Sequence, residues 1–179
     1  RQTSDARRAP VILAGGAVRD LLMGRPLSDL DFAVQGDAVA LARAVANALG
    51  GNFYIMDDTR GTARVILRYA ESERDDRAAR SHSAVSLSLD FSVCRGDTWE
   101  QDLLARDFTV NAIAIDLGSN AILDPAGGRA DLERRIIRQT RAGAIEDDPV
   151  RALRAVRMSL ALSAVIEPAT PARSACATN

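Results

Sequence analysis

The sequence contains no lysine, so all 23 of its basic residues are arginines. Aromatic residues make up only 4% of the chain although 47% of it is hydrophobic, so aliphatic side chains must dominate the core. The 24 acidic residues leave a formal net charge of −1. This balance excludes a global positive field that would attract nucleic acid, and any RNA contact must therefore be local.

Cysteine and histidine are also scarce. The two cysteines, Cys94 and Cys176, lack metal-ligand spacing, which is typical of a reduced, cytoplasmic protein. The single histidine, His82, lies in a polar stretch where we expect a solvated side chain. No apolar run has the length of a transmembrane helix and no signal peptide is visible, so we expect a cytoplasmic protein with no membrane partner.

Two glycines, Gly15 and Gly16, follow an apolar run of strand length that ends at Ala14. A helical pattern begins directly after them and stops at Gly24. Backbone N–H groups at such a helix start can point at an anion, and the helix dipole favours phosphate there. The pattern predicts a phosphate cradle, although an ordinary turn explains the glycines taken alone.

Two carboxylates follow in the next extended segment. Asp29 and Asp31 are two residues apart, so in a strand both side chains point to the same side. Such a pair beside a phosphate cradle suits Mg²⁺, which takes one or two carboxylates together with substrate phosphate oxygens. The pair alone would be interpreted as solvated. In this order, glycines and carboxylates resemble the nucleotidyltransferase signature of the DNA polymerase β superfamily.

A third carboxylate lies in the alternating segment 86–93. Leu87, Leu89, Phe91 and Val93 share one face, so Asp90 points to the other. If this strand pairs beside Asp29 and Asp31, Asp90 becomes a third catalytic candidate. An outward polar position explains it equally well.

The remaining pattern predicts short alternating elements. We expect a helix after Asp37 with an apolar face that includes Leu49, and strands over 53–56 and 63–69. Residues 71–83 form a solvated polar loop in this interpretation. A short helix over 99–104, a hairpin over 113–123, a helix running from Gly128 to Ile137 and another beginning at Asp148 complete the prediction.

Three later segments turn the superfamily signal into a family resemblance. Residues 102–112, which include Arg106, Asp107 and Asn111, are similar to the "RRDFTxNA" motif of class II tRNA nucleotidyltransferases, the CCA-adding enzymes, and of bacterial poly(A) polymerases. Residues 124–138 resemble the "DPxGGxxDLxxxxIR" element of that family, and residues 147–157 resemble its "EDPxRxLRxxR" motif. Four motifs in family order cover roughly residues 11–160.

The resemblance implies an α+β fold, a polymerase β-like nucleotidyltransferase head with a small mixed sheet and flanking helices, followed by an all-helical neck. We predict a loose lead-in over residues 1–9, the head over 10–140 and the start of a truncated neck over 141–179. Family members continue through a helical body and tail that grip tRNA. We therefore expect a fragment of unknown oligomeric state whose isolated activity is in question, and whose neck helix exposes an apolar stripe of Leu153, Val156 and Leu160.

The resemblance also implies a reaction, in which the 3′-hydroxyl of tRNA attacks the α-phosphate of CTP or ATP with Mg²⁺ as cofactor. It places metal binding on Asp29 and Asp31. The predicted nucleotide contacts are Gly15, Gly16, Arg19, Arg106, Asp107, Asn111, Asp148, Arg151, Arg154 and Arg157. Arginine suits a triphosphate because its planar fork binds phosphate oxygens in pairs.

Asp148 and Arg151 are three residues apart, hence on one helix face. A carboxylate can accept from the exocyclic amino group of cytosine or adenine while a guanidinium donates to the adjacent ring nitrogen. Uracil and guanine present the reverse pattern, so one Asp/Arg pair could select C and A without a template. A helix cap for Asp148 and a solvated face for the arginines are the simpler explanations of each residue alone.

Some residues depart from the family pattern. Ala105 replaces the first arginine of its motif, and Asp147 replaces a glutamate. Only residues 96–105 separate Arg95 from Arg106, where many members carry a longer loop associated with switching from C to A addition. This short segment argues against full CCA synthesis and keeps a CC-only enzyme as a candidate; CCA or A-only addition, a poly(A) polymerase and a non-catalytic nucleotide-binding fragment are the alternatives.

Overall fold

The computed structural model describes residues 9–69 and 85–168. Its strands are β1 (Val11–Ala14), β2 (Asp29–Val34), β3 (Asn52–Asp57), β4 (Thr62–Tyr69), β5 (Val85–Val93), β6 (Ala114–Asp116), β7 (Ile122–Leu123), β8 (Ile136–Ile137) and β9 (Val165–Ile166). Its helices are α1 (Gly16–Leu22), α2 (Ala38–Leu49), α3 (Trp99–Leu104), α4 (Gly128–Arg134), α5 (Ala144–Asp147) and α6 (Val150–Leu162), with a 3₁₀ turn at Thr109–Asn111.

Seven strands form one mixed sheet in the order β3-β4-β5-β2-β1-β6-β7. Strands β2 and β5 pair in parallel, whereas the neighbouring pairs on either side are antiparallel. The predicted α+β fold with a small mixed sheet is confirmed. The predicted hairpin is also present as β6 and β7, which pair through Ala114 and Leu123.

Helix α2 covers one face of the sheet at β3, β4 and β5. The Asp37 carboxylate caps it by accepting a hydrogen bond from the Ala40 N–H at 2.8 Å, and Gly50 ends it in the left-handed region at φ 67°. Its buried residues are Ala38, Ala42 and Ala46. Leu49, predicted on the buried face, is 58% exposed because it lies in the last turn, beyond the alanine stripe.

The opposite face of the sheet is covered only in part. Leu103 of α3 is fully buried and packs with Ile12, Ala14 and Ala33 of β1 and β2. Helix α3 occupies most of the segment 96–105, so only residues 96–98 lie between Arg95 and the start of the helix. What the short segment implies about C or A addition stays a prediction.

Helix α6 packs against the end of the head through Ala155, Met158 and Leu162, which join Phe108 and Val110 in one buried cluster. Leu153 and Leu160, in the predicted apolar stripe, are 73% and 78% exposed.

The helix predicted to run from Gly128 to Ile137 is wrong in its second half. Arg135 adopts a left-handed conformation at φ 57°, which ends α4. Ile136 and Ile137 then form β8, which pairs in parallel with Val165 and Ile166 of β9. The partner strand lies some thirty residues later in the chain, so a local helical period could not reveal it.

Several predictions fall outside the described residues. They are the lead-in before Ala9, the polar loop 71–83, His82 and Cys176. Among the helices of the described ranges, none combines the length and apolar character that a membrane crossing requires.

Candidate active site

Three aspartates meet on adjacent strands of one sheet face. Asp29 and Asp31 are two residues apart in β2, and Asp31 lies directly beside Asp90 of β5. Neighbouring strands are about 4.8 Å apart, so the two carboxylates share one local environment. The strand pairing that the third-carboxylate hypothesis requires is therefore present.

The charge balance at Asp31 reflects these neighbours. Burial raises the pKa of Asp31 above its ordinary value, the Arg106 guanidinium opposes the rise, and the carboxylates of Asp90 and Asp29 add to it. A carboxylate that is buried beside two others is costly to ionise, and a bound cation would relieve that cost.

Asp90 is bound by an arginine of the neighbouring strand. Its oxygens accept hydrogen bonds from Nε and Nη2 of Arg64 at 2.6 and 2.7 Å. Within residues 9–69 and 85–168, no three His, Cys, Asp or Glu side chains lie close enough to hold a metal ion by themselves. Asp29 and Asp31 nevertheless fit Mg²⁺, which commonly takes two carboxylates and completes its octahedron with waters and substrate phosphate.

The glycine turn lies against the carboxylates. Gly15 has φ 78°, and a Cβ atom there would lie 3.0 Å from Nη1 of Arg106 and 3.3 Å from Oδ2 of Asp31. Only glycine lets the backbone pass this close to the charged pair. The sequence-predicted Gly15, Asp31 and Arg106 are therefore neighbours in space.

Arg106 is held by helix α3. Its Nε and Nη2 atoms donate to Oδ2 of Asp102 at 3.2 and 3.0 Å, and its carbonyl accepts from the Thr140 hydroxyl at 2.5 Å. Asp102 is buried and also accepts from the Arg95 N–H. Arg106 is thus oriented by a buried carboxylate and lies beside Asp31.

Arg19 projects from α1 into a network of its own. Its guanidinium donates to both oxygens of Asp20 at 2.9 Å and to Oδ1 of Asn111 at 2.7 Å. The Asn111 amide in turn donates to Oδ1 of Asp107 at 3.1 Å. Asn111 is 8% exposed, so the network fixes it firmly beside Arg19.

Asp107 joins this network to helix α6. Oδ2 of this buried carboxylate lies 2.8 Å from Nη2 of Arg154, an ion pair without the alignment of a hydrogen bond. Oδ1 accepts from the Phe108 N–H at 2.8 Å. Asp107, predicted as a nucleotide contact, thus lies where it positions Arg154.

A cleft of about 250 Å³ opens between α1 and α6. Asp31 lies in its wall, and four arginines surround it, so the cleft is positively charged next to the carboxylates. Its lining residues are Gly16, Arg19, Arg25, Asp31, Asn111, Arg154, Arg157, Met158, Ala161 and Leu162.

Asp148 and Arg151 stand at the start of α6, and the described residues that line the cleft do not include them. Oδ1 of Asp148 accepts from the Val150 N–H at 3.2 Å, but the N-cap residue of α6 is Pro149 and not the predicted Asp148. Arg151 donates to the Ala144 carbonyl at 3.2 Å, and its Nε lies 3.8 Å from Oδ2 of Asp148.

Sequence reasoning missed Arg25, Met158 and Arg64. Arg25 follows α1 in a turn and donates to the Ala161 carbonyl at 3.1 Å, and Met158 is part of the buried face of α6. The sequence does indicate that Arg64 lies on the polar face, because of its position in an alternating strand. Its contact with Asp90 depends on strand register, which the sequence does not show.

Known proteins resemble this chain throughout the head. The profile of the family described as "Poly A polymerase head domain" matches residues 11–138. A CC-adding tRNA nucleotidyltransferase of Geobacter sulfurreducens is 42% identical over 87% of this chain and 33% of its own length. An A-adding tRNA nucleotidyltransferase of Deinococcus radiodurans is 39% identical over 88% of this chain and 32% of its own length.

The fold is shared with solved structures as well. A CCA-adding enzyme in complex with CTP is 31% identical with a TM-score of 0.75, over 93% of this chain and 38% of that chain. The chain thus spans about a third of the length of the curated relatives named above. The profile match and these likenesses agree on one conclusion: the chain belongs to the poly A polymerase head domain family.

Proposed function

We propose that this chain carries the catalytic head of a template-independent nucleotidyltransferase that adds C, A or both to the 3′ end of tRNA. The observation that carries the proposal is the cleft in which Asp31 adjoins Gly16 and four arginines. A nucleoside triphosphate needs several cationic forks for its phosphates and a carboxylate pair next to its α-phosphate. The cleft supplies the arginines and Asp31, and Asp29 lies two residues from Asp31 in β2, outside the lining of the cleft.

In the proposed reaction, Arg19, Arg154 and Arg157 bind the triphosphate in the cleft. Arg106 lies beside Asp31, where it offsets the negative charge of the carboxylates before substrate arrives. Asp29 and Asp31 would hold Mg²⁺, and the chemistry that such an ion would supply is activation of the attacking hydroxyl and stabilisation of the leaving pyrophosphate. Asp90 becomes available as a third carboxylate if Arg64 releases it.

Base selection is proposed for Asp148 and Arg151 at the start of α6. Arg151 is largely buried and already bonded to the Ala144 carbonyl, whereas Asp148 is half-exposed. This arrangement supports a fixed guanidinium that donates to a ring nitrogen beside a carboxylate that accepts from an amino group. The boundary between head and neck near residue 140 and the cytoplasmic location stay predictions.

The first test is nucleotide binding, because it needs no tRNA. In Mg²⁺, calorimetry should show that the chain binds CTP or ATP at least tenfold more tightly than UTP and GTP, since the wrong bases leave polar groups unpaired. Asp148→Ala should remove the preference while keeping triphosphate binding. Equal binding of all four nucleotides to the wild-type chain would contradict the selection proposal.

The second test is incorporation of labelled CTP and ATP into a tRNA that lacks its CCA end. CC, A or CCA addition would each support the proposal and would settle the product, which relatives of differing specificity leave open. Asp29→Ala should abolish addition. Long A-tails on a non-tRNA primer would instead show a poly(A) polymerase.

A further inference from the structure

We infer that the open face of β5, β4 and β3 holds the single-stranded 3′ end of the RNA primer, with Tyr54 stacking on a base and Arg68 contacting a phosphate. This inference rests on the proposed nucleotidyl transfer. It assigns a second ligand surface to the head, distinct from the nucleotide cleft.

A continuous row of side chains leads from the carboxylates to the edge of the sheet. Asp31 pairs with Asp90, Asp90 with Arg64 and Arg64 with Tyr54, so all four lie on one face. The row crosses three strand spacings, about 14 Å in all. Arg68, four residues after Arg64 in the same strand, shares that face.

Among residues 9–69 and 85–168, no helix packs on this half of the face. Helix α2 packs on the other side of β3, β4 and β5, and the contacts of α3 described above lie on β1 and β2. Tyr54 is 48% exposed, and Arg68, Ser86 and Asn52 are exposed as well. An aromatic ring, an arginine and small hydrogen-bonding side chains thus line this surface together with Ile66, which lies between Arg64 and Arg68 in β4.

The position of this surface fits a primer because transfer is an in-line displacement. The attacking and leaving oxygens lie on opposite sides of the α-phosphate. Asp31 has β1 on one side, which leads through Gly15 into the arginine cleft, and β5 on the other. With the leaving pyrophosphate in the cleft, the hydroxyl arrives from the side of β5.

The chemistry of the surface suits single-stranded RNA. Exposed aromatic rings stack on bases of any identity, and arginines bind the backbone phosphates. Arg64 neutralises Asp90 through its two hydrogen bonds, which removes one negative charge from the path of the primer. The remaining carboxylates, Asp29 and Asp31, lie at the end of the path, where the metal would bind.

The test measures binding of a fluorescein-labelled single-stranded RNA octamer to the full chain by anisotropy, at several salt concentrations. Tyr54→Ala should weaken binding about tenfold, and Tyr54→Phe should retain most of the affinity because its ring still stacks. Arg68→Ala should weaken binding and reduce the salt slope by about 0.7, the value of one phosphate contact on a single strand. The matched control is Arg43→Ala, which removes an arginine that stacks on Phe53 on the opposite side of the sheet.

Four results would overturn the inference. They are an unchanged salt slope in Arg68→Ala, an equal loss in Arg43→Ala, a loss of CTP affinity that parallels the loss of RNA affinity, and a dimer that Tyr54→Ala dissociates while RNA binding stays intact. The last result would assign the face to a second copy of the chain.

Failure of the proposed function is distinguishable from failure of this surface. If the wild-type chain binds the octamer, the variants weaken that binding as expected, and tRNA is never extended, then the RNA surface is supported and the transferase proposal is contradicted. If the wild-type chain extends tRNA, and Tyr54→Ala and Arg68→Ala leave the KM for tRNA unchanged, then the transferase proposal is supported and the RNA surface is contradicted.

Discussion

At the scale of single residues, Asp31 is a carboxylate that folding buries beside two others, so its pKa is raised above the usual 3.8. A raised pKa means that the folded state holds this proton more tightly than the unfolded state does. The contribution of this group to the free energy of unfolding is therefore fully present below the pKa of the unfolded state. It is lost as the pH rises through the pKa of the folded state. At neutral pH, ionised Asp31 destabilises the fold.

Asp31→Asn should therefore raise the melting temperature at pH 7 in the presence of EDTA, and it should abolish nucleotide incorporation. The gain in stability should shrink as the pH falls toward and below 3.8, where the wild-type carboxylate is protonated in both states. Thermal denaturation from pH 3 to pH 8 measures the effect. A gain that stays constant across this range would show that the ionisation of Asp31 is not its cause.

The pair of Asp107 and Arg154 gives a second residue-scale prediction. Arg154→Ala leaves a buried carboxylate without its cation and should cost about 1–3 kcal/mol of unfolding free energy. Asp107→Asn in the same chain should recover part of that loss, because the amide carries no charge. Urea denaturation of both single variants and the double variant measures the coupling, and strictly additive losses would contradict it.

At the scale of elements, Gly128 fixes how α4 meets the 3₁₀ turn. A Cβ atom at Gly128 would overlap the Thr109 carbonyl and lie 2.9 Å from Cγ1 of Ile113. Gly128→Ala should therefore destabilise the chain by about 1–3 kcal/mol, since backbone must move to admit the methyl group. Arg129→Ala, at the exposed neighbouring position, is the control, and equal stability of the two variants by urea denaturation would refute the packing argument.

The elements that the sequence predicts well are those whose pattern is local. The alternation of β5 places Asp90 opposite Leu89 and Phe91, and the caps Asp37 and Gly50 mark the ends of α2. Ile136 and Ile137 show where prediction from a local pattern fails. Their strand exists because it pairs with residues after α6, and no window around them contains that partner.

The candidate site follows the same division. Asp29, Asp31 and Arg106 could be named from motifs, because their spacing is tied to one strand or one turn. Arg64 and Arg25 could not, since each meets its partner through a fold-level contact. The roles of Asp29 and Asp31 are predictions that the variants above test.

At the scale of the whole molecule, the cleft exists only while α6 stays on the head. Ala155 is 2% exposed and packs in the cluster of Phe108 and Val110. Ala155→Leu should overpack this contact, cost about 1–3 kcal/mol and weaken CTP binding, because Arg154 and Arg157 shift with the helix. Leu153→Ser, on the exposed side of α6, should change neither property in the isolated chain. If Ala155→Leu is destabilised but binds CTP with full affinity, then CTP binding in the cleft does not depend on how α6 packs.

The parallel pairing of β8 with β9 also has a consequence for synthesis on the ribosome. Phe108, Val110 and Ile137 lie in a cluster that is completed by Leu162 and Ala164. A nascent chain that has emerged only as far as Ile137 therefore presents these side chains to water until α6 follows. At translation rates of about 5–20 residues per second, that interval lasts for seconds, and it is the stage at which this head would most need a chaperone.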